Sequence, residues 1–261
     1  MKNLLDKLFF RNNNLDVISQ SFKELSSKIP ISKIFKVINS YSSSSEIRYV
    51  GGCVRKIINK EKIDDIDLAT NLEPEEVCDV LKKNQINYYK SGIEHGTITA
   101  LVHDYKFEIT SLREDISTDG RHAKVRYSKD WKKDAARRDF TINAIYSDYD
   151  GNIFDPFDGK EDIEKGKINF IGNSDKRIQE DYLRILRYVR FFLNYSKQKH
   201  SVDTIKFIRM NLAGISKLSK ERLIDELRKI LNPKILQKLT KEKFSLEIIK
   251  IIFPELKYFN I

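Results

Sequence analysis

Apolar residues recur at three- and four-residue spacing through Leu15 to Ile29 and again through Ile31 to Ile38, the repeat that lays an apolar stripe along a helix. Two N-terminal helices meeting near Pro30 are predicted, and the run Ser42 to Ser45 ends the second. From Glu46 the period changes. Short β-prone runs at Ile47–Val50, Ile66–Ala69, Thr97–Val102 and Tyr105–Thr110 mix with a helical stretch at Pro74–Lys83, the pattern of a mixed α and β domain. His103 and Asp104 separate two alternating runs, which predicts a tight hairpin. Gly151, Pro156, Gly159 and Gly166 gather turn formers between Asp150 and Lys167, so a boundary is placed there. Beyond about Ser174 the period is helical: one helix capped by Ser174 and running to about Leu193, then Val202–Leu212, Lys220–Leu231 and Lys243–Ile252. The expected fold class is α+β, with an N-terminal helical segment over 1–45, a mixed-sheet domain over 46–150, a hinge and linker over 151–173 and an all-helical region over 174–261.

Composition narrows the partners. The 261 residues carry 48 Lys plus Arg against 38 Asp plus Glu, a net charge of +10, and such an excess favours an anionic partner, nucleic acid first. No apolar run approaches the ~20 residues that span a bilayer. Lys2, Asp6 and Lys7 interrupt the first ten residues, so neither a membrane anchor nor a signal peptide is expected. Cys53 and Cys78 are too few for a disulfide framework or a cysteine zinc site, which suits the cytoplasm. Nothing in the sequence calls for an obligatory protein partner.

The sharpest chemical signal is Gly51-Gly52-Cys53-Val54-Arg55 directly after the run Ile47–Val50, followed by Asp64-Asp65-Ile66-Asp67-Leu68. Glycines at a strand-to-helix junction leave backbone N–H groups open to an anion such as triphosphate. On a strand, residues two apart share a side, so Asp65 and Asp67 are expected on one face while Ile66 and Leu68 enter the core. Paired carboxylates suit Mg²⁺, which fills its other positions with water and substrate phosphate. Glu108, between the core-facing Phe107 and Ile109, is the candidate third acid. Paired metals serve in-line displacement, so phosphoryl or nucleotidyl transfer is the chemistry indicated. A Gly-Gly alone is usually a turn and an Asp-x-Asp alone a strand end; their order and spacing together point to a site.

Gly51-Gly52 to Arg55 followed by Asp65-x-Asp67 resembles the catalytic signature of the DNA polymerase β nucleotidyltransferase superfamily. More narrowly, the chain is similar to class II tRNA nucleotidyltransferases, the CCA-adding enzymes, and to bacterial poly(A) polymerases, from about Ile47 to about Leu231. The resemblance implies a nucleotidyltransferase head domain followed by a helical neck and partial body. It implies that Asp65 and Asp67 bind the catalytic metals, Mg²⁺, with Glu108 as supporting acid. Arg137-Arg138-Asp139 matches the ribose-recognising motif, continued by Phe140-Thr141-Ile142-Asn143-Ala144, and Asp155-Pro156 matches the hinge. Glu180-Asp181-Tyr182-Leu183-Arg184 matches the base-selecting helix, and Glu221-Arg222 with Glu226 and Leu227 resembles the helix-bracing motif. The activity implied is addition of CMP and AMP from CTP and ATP to the 3′ end of tRNA. An A-adding enzyme or poly(A) polymerase, and more distantly a non-catalytic RNA-binding remnant, stay open as alternatives.

Hydrogen-bond chemistry is consistent with the base-selecting match. On one helix, Asp181 and Arg184 would be neighbours; an ionised carboxylate only accepts and a guanidinium only donates. Cytosine and adenine both set an amino donor beside a ring-nitrogen acceptor, whereas uracil and guanine reverse the order, and each unpaired buried group costs about 1–3 kcal/mol. The plain alternative is a surface ion pair. Arg184, Arg187 and Arg190, three residues apart, are expected to form a basic ridge for RNA or nucleotide phosphates. The polar stretch Ser111–Tyr127, centred on Asp119, Gly120, Arg121 and His122, is expected to be a mobile loop.

Overall fold

The computed structural model describes residues 17–118 and 123–258. The chain divides into two compact units: one holds the N-terminal region through Glu114 together with Val125–Arg138 and Ile142–Lys160, the other Asp115–Lys124, Asp139–Thr141 and Glu161 onward.

In the first unit, residues 17–28 are helical (α1) and α2 follows at Ile31–Asn39, burying Ile31, Ile34, Phe35 and Ile38 on one side, as the spacing requires. Strand β1 (Ile47–Val50) leads into α3 (Gly52–Ile58), and β2 (Asp67–Thr70) into α4 (Pro74–Lys83). Then come β3 (Asn87–Gly92), β4 (Thr97–Val102) and β5 (Tyr105–Ser111), followed by β6 (Arg113–Thr118) and β7 (Ala123–Tyr127), of which Asp115–Lys124 belong to the second unit. After α5 (Trp131–Arg137) the short strands β8 (Tyr146–Ser147) and β9 (Ile153–Phe154) finish a seven-stranded sheet of order β3-β4-β5-β2-β1-β8-β9. Its central pair β2 and β5 is parallel, with Asp67 opposite Glu108; the other neighbouring pairs are antiparallel. The hairpin at His103-Asp104 forms as predicted: Val102 pairs with Tyr105, and His103 takes a positive φ of 53°.

Helix α1 is tied to this sheet through buried aromatic contact. Phe22 and Phe35 each lie 4.9 Å from the Tyr49 ring, and the Ser26 and Tyr49 hydroxyls are 2.9 Å apart. Farther along, Ser19 Oγ donates to the Asp150 carbonyl at 2.6 Å. The turn beside it needs glycine twice over: Gly151 has φ 90°, and a Cβ there would stand 2.5 Å from Ser19 Cα.

The second unit is helical: α7 (Ser174–Glu180), α8 (Leu183–Tyr195), α9 (Val202–Asn211), α10 (Lys220–Ile230), α11 (Pro233–Leu239) and α12 (Lys243–Ile252), preceded by α6 (Gly159–Lys165), whose first residues belong to the first unit. Phe140, Phe170, Tyr188 and Phe191 pack into one aromatic cluster. Among the described residues, no helix is long and apolar enough to cross a membrane.

Several expectations need correction. The single helix predicted from Ser174 to Leu193 is two helices, broken where Asp181 takes an extended backbone at φ −155°, ψ 105°. Its N-cap is Asn173, whose side chain accepts the Lys176 N–H, rather than Ser174. Asp65 and Ile66 precede β2 and Ile66 is half-buried, so the alternation of a strand does not apply to them. Arg138 and Asp139 lie beyond the end of α5, Arg138 being its extended cap. Much of the polar stretch 111–127 forms the two-stranded sheet β6-β7; Asp119, Gly120, Arg121 and His122 lie outside the described residues. Pro233 opens α11 at a position where its missing N–H costs nothing.

Candidate active site

The parallel pair brings together an acid at the start of β2 and one in the middle of β5. An open cleft of about 770 Å³ is lined by Leu25, Ile29, Ile63, Asp64, Asp65, Ile66, Asp67 and the stretch from Asp104 to Glu108. Because Asp67 and Glu108 are register partners on adjacent strands, their side chains leave the same face of the sheet. Asp65 is exposed on the loop before β2. Burial pushes the Asp67 carboxyl above the ordinary carboxylate range, Arg138 draws it down, and the charge of Asp65 pushes it up again.

Gly51 enters α3 with φ 67° and ψ −116°, a conformation that glycine adopts without steric cost. Its missing side chain leaves room for close neighbours: a Cβ on Gly51 would be 3.6 Å from Arg138 Nη1, and one on Gly52 3.9 Å from both Asp67 Oδ2 and Arg55 Nη2. Arg55, buried on α3, donates Nη1 to Asn143 Oδ1. So the glycine pair, Asp67, Arg55, Arg138 and Asn143 form one neighbourhood.

Asp134 organises that neighbourhood, and the sequence reading missed it. Its Oδ1 accepts from Arg137 Nε at 2.8 Å and from the Arg113 N–H at 3.2 Å. Its Oδ2 accepts from Arg138 Nη2 at 3.0 Å and from the Tyr146 hydroxyl at 2.7 Å. The signal was present: Asp134 sits three residues before Arg137 and four before Arg138, the helical ion-pair spacing, hidden in a run of charge.

In the second unit, Asp139 Oδ2 accepts from Arg187 Nε at 2.6 Å. The Arg184 N–H donates to the Asp181 carbonyl at 3.0 Å, and both side chains have further partners. Asp181 accepts from Arg222 Nη2 at 2.8 Å and from the Leu183 N–H at 3.1 Å. Arg184 Nη1 donates to Glu180 Oε2 and to the Arg177 carbonyl, both at 2.7 Å. The expected basic ridge is therefore a row of ion pairs: Arg184 with Glu180, Arg187 with Asp139 and Arg190 with Glu226. Asp155 of the hinge motif caps α6, accepting from the N–H groups of Gly159 and Lys160.

Comparison with known proteins agrees with this geometry. Residues 47–169 match the family described as "Poly A polymerase head domain", and residues 201–260 match "Probable RNA and SrmB- binding site of polymerase A". The chain is 46% identical over 189 residues to the Homo sapiens protein "CCA tRNA nucleotidyltransferase 1, mitochondrial", covering 71% of this chain and 44% of that protein. It is 39% identical over 190 residues to the "CCA-adding enzyme" of Limosilactobacillus reuteri, covering 71% of this chain and 45% of that protein. This chain thus spans less than half the length of these relatives. It superimposes on the Bacillus stearothermophilus CCA-adding enzyme solved in complex with CTP with a TM-score of 0.70 at 31% identity, over 80% of this chain and 51% of that one. The glycine turn beside Asp67, the parallel pairing of Asp67 with Glu108 and these matches lead to one assignment: the chain belongs to the class II family of CCA-adding nucleotidyltransferases and bacterial poly(A) polymerases.

Proposed function

We propose that the chain is a template-independent RNA nucleotidyltransferase that adds CMP and AMP, taken from CTP and ATP, to the 3′ end of tRNA. The observation that carries this reading is the placement of Asp67 opposite Glu108 and beside the glycine turn. The names of the human and Limosilactobacillus relatives supply the substrate. In this reading residues 46–150 are the catalytic head, 151–173 a hinge and linker, and 174–261 a neck and partial body.

Family membership implies a divalent metal, and Mg²⁺ is the ion we propose. Among the described residues no three His, Cys, Asp or Glu side chains gather closely enough to hold an ion. Asp65 and Asp67, with Glu108 alongside, are the residues that would hold the ion, since two hard carboxylates suit an ion that completes its shell with water and phosphate. When bound, the metal lowers the cost of forming the attacking 3′-oxygen and of the charge on departing pyrophosphate. The chain's own residues do the rest. Gly51 and Gly52 let triphosphate approach the backbone, and Arg138, already fixed by Asp134 and Tyr146, offers it a guanidinium that needs no reordering. Arg55 and Asn143 brace the turn, while Asp139, held by Arg187, accepts from a ribose hydroxyl. Asp181 and Arg184 accept from and donate to the base edge.

We place the protein in the cytoplasm, a reducing compartment that suits Cys53 and Cys78, both free and buried. No membrane and no obligatory protein partner enter the reading. The test is a gel-resolved extension of tRNA lacking its 3′ CCA, with each nucleoside triphosphate singly and in mixtures. Addition of three nucleotides with CTP plus ATP and none with UTP is expected. A long ladder with ATP alone would favour the poly(A) polymerase reading that both matched family descriptions name, and no extension at all would overturn nucleotidyl transfer.

A further inference from the structure

Asp65, one of the two acids assigned to the metal, lies on the connection between α3 and β2, where no strand ladder fixes it. Lys60 turns that connection back with a φ of 55°. Hydrogen bonds to the end of α3 hold its first residues: the N–H groups of Asn59, Lys60 and Glu61 donate to the carbonyls of Arg55, Ile57 and Lys56 at 2.8–3.0 Å. Farther along, that support stops. Among the described residues, Lys62, Ile63, Asp64 and Asp65 enter no backbone–backbone hydrogen bond, and the bond from Lys56 Nζ to Asp64 Oδ2, at 2.8 Å, is the one hydrogen bond they make. Ile63 is half-buried, but apolar packing has no direction.

Lys56 thus meets this connection twice, with its carbonyl at Glu61 and with its ammonium at Asp64. It belongs to the helix that also carries Gly52 and Arg55 of the glycine turn. An exposed ion pair adds little to stability, because two flexible side chains must be ordered to form it, and here the Asp64 side chain is 61% exposed and that of Lys56 22%. Position is a different matter. Asp64 is the residue before Asp65, so a bond that fixes the chain at Asp64 also limits where the Asp65 carboxylate can stand, and no competing bond sets it elsewhere. Mg²⁺ demands near-ideal octahedral geometry, so a carboxylate that wanders is a poorer ligand than one held in place.

We infer that Lys56 and Asp64 are positioning residues for metal binding: their ion pair ties the loop to α3 and holds Asp65 within reach of Asp67. The inference rests on the metal-binding role proposed above for Asp65 and Asp67.

The test uses the 261-residue chain and reads Mn²⁺ binding by electron paramagnetic resonance with no nucleotide present. Alongside it runs the Mg²⁺ concentration that gives half-maximal nucleotide addition, in wild type, K56M, K56R, D64A, D65N and the double variant K56E with D64K. Charge alone and a tether make opposite predictions at Lys56. Lys56 is one of the cations whose charge reaches Asp67, so losing it would by charge alone tighten the hold on a metal, whereas losing the tether loosens it. K56M and D64A are both expected to weaken Mn²⁺ binding about threefold, the scale of one exposed ion pair. The Mg²⁺ requirement should rise by a like factor, with the loss concentrated there rather than in kcat. K56R, which keeps a donor, and the double variant, which reverses the pair, should both bind Mn²⁺ as wild type does. Binding by K56M as tight as wild type or tighter, an unchanged D64A, or a double variant no better than the single ones would overturn the inference. So would a lower Tm with an unchanged metal requirement, the mark of a merely structural pair. Should K56M fail to fold, D64A and the double variant decide. Absence of Mn²⁺ binding by wild type, or a D65N that binds as tightly as wild type, would remove the metal-binding reading and this inference together.

Discussion

Asp134 is a buried acid and Asp67 a half-buried one, both near Arg138, yet their surroundings push them in opposite directions. At Asp134 burial favours the neutral form, but the guanidinium groups of Arg138 and Arg137 outweigh it and hold the carboxyl far below the usual range. A depressed acid adds stability that is complete above the unfolded value of about 3.9 and is lost as pH falls below it. Asp134→Asn leaves two guanidinium groups without their charge partner, so a loss of about 3–5 kcal/mol is expected, together with a flatter fall in stability on the acid side. Urea unfolding at pH 3 to 7 measures both. At Asp67 burial is the largest influence and raises the carboxyl; Arg138 opposes it and Asp65 reinforces it. A charge that burial disfavours costs folding free energy, so Asp67→Asn is expected to keep or raise Tm while abolishing nucleotide addition. A large drop in Tm would show that Asp67 serves the fold rather than the chemistry.

At the scale of elements, α2, α4, β1, β2, β4 and β5 were legible because each turns an apolar face to the core at its own period. The break at Asp181 was not legible, because Ile178, Leu183, Ile185 and Val189 carry the apolar pattern past it and the residues that contact it, Arg222 and Gly214, are distant in sequence. Strands β6 and β7 escaped for the opposite reason: Arg113-Glu114-Asp115 and Lys124-Val125-Arg126 have too few apolar residues to reveal a period of two. In the candidate site the glycine pair and the acids stood out as residue types at telling spacings, whereas the ties of Asp134 and Asp181 to particular arginines are facts of packing. Helix α1 gives an element-scale prediction. Phe22 is fully buried against Tyr49, so Phe22→Ala should cost about 3–5 kcal/mol, read as a lower urea midpoint with unchanged slope. A slope that changes with it would mean that α1 unfolds separately from the sheet.

For the whole molecule, the excess of positive charge directs attention to phosphate, but each arginine of α8 is paired with an acid of its own unit. The exposed lysines Lys234, Lys241 and Lys243, within the stretch that matches an RNA-binding family, are better placed to meet a backbone. Replacing these three with Ala should weaken RNA binding for all sequences alike. It should also make the dependence of log K on log salt shallower by about 0.7 for each single-strand phosphate that is no longer neutralised. Fluorescence anisotropy across a salt series measures this, and an unchanged slope would place the RNA elsewhere. The docking of α1 on Tyr49 has a consequence for how the molecule is cut. The stretch shared with relatives as a head domain begins at residue 47, but Tyr49 is enclosed by Phe22, Ser26 and Phe35 from upstream. Inheritance and cooperativity thus draw different borders: a fragment trimmed to the shared stretch would expose an aromatic seam and bind hydrophobic dye, whereas one that starts at residue 17 would carry its own lid and elute as a single species.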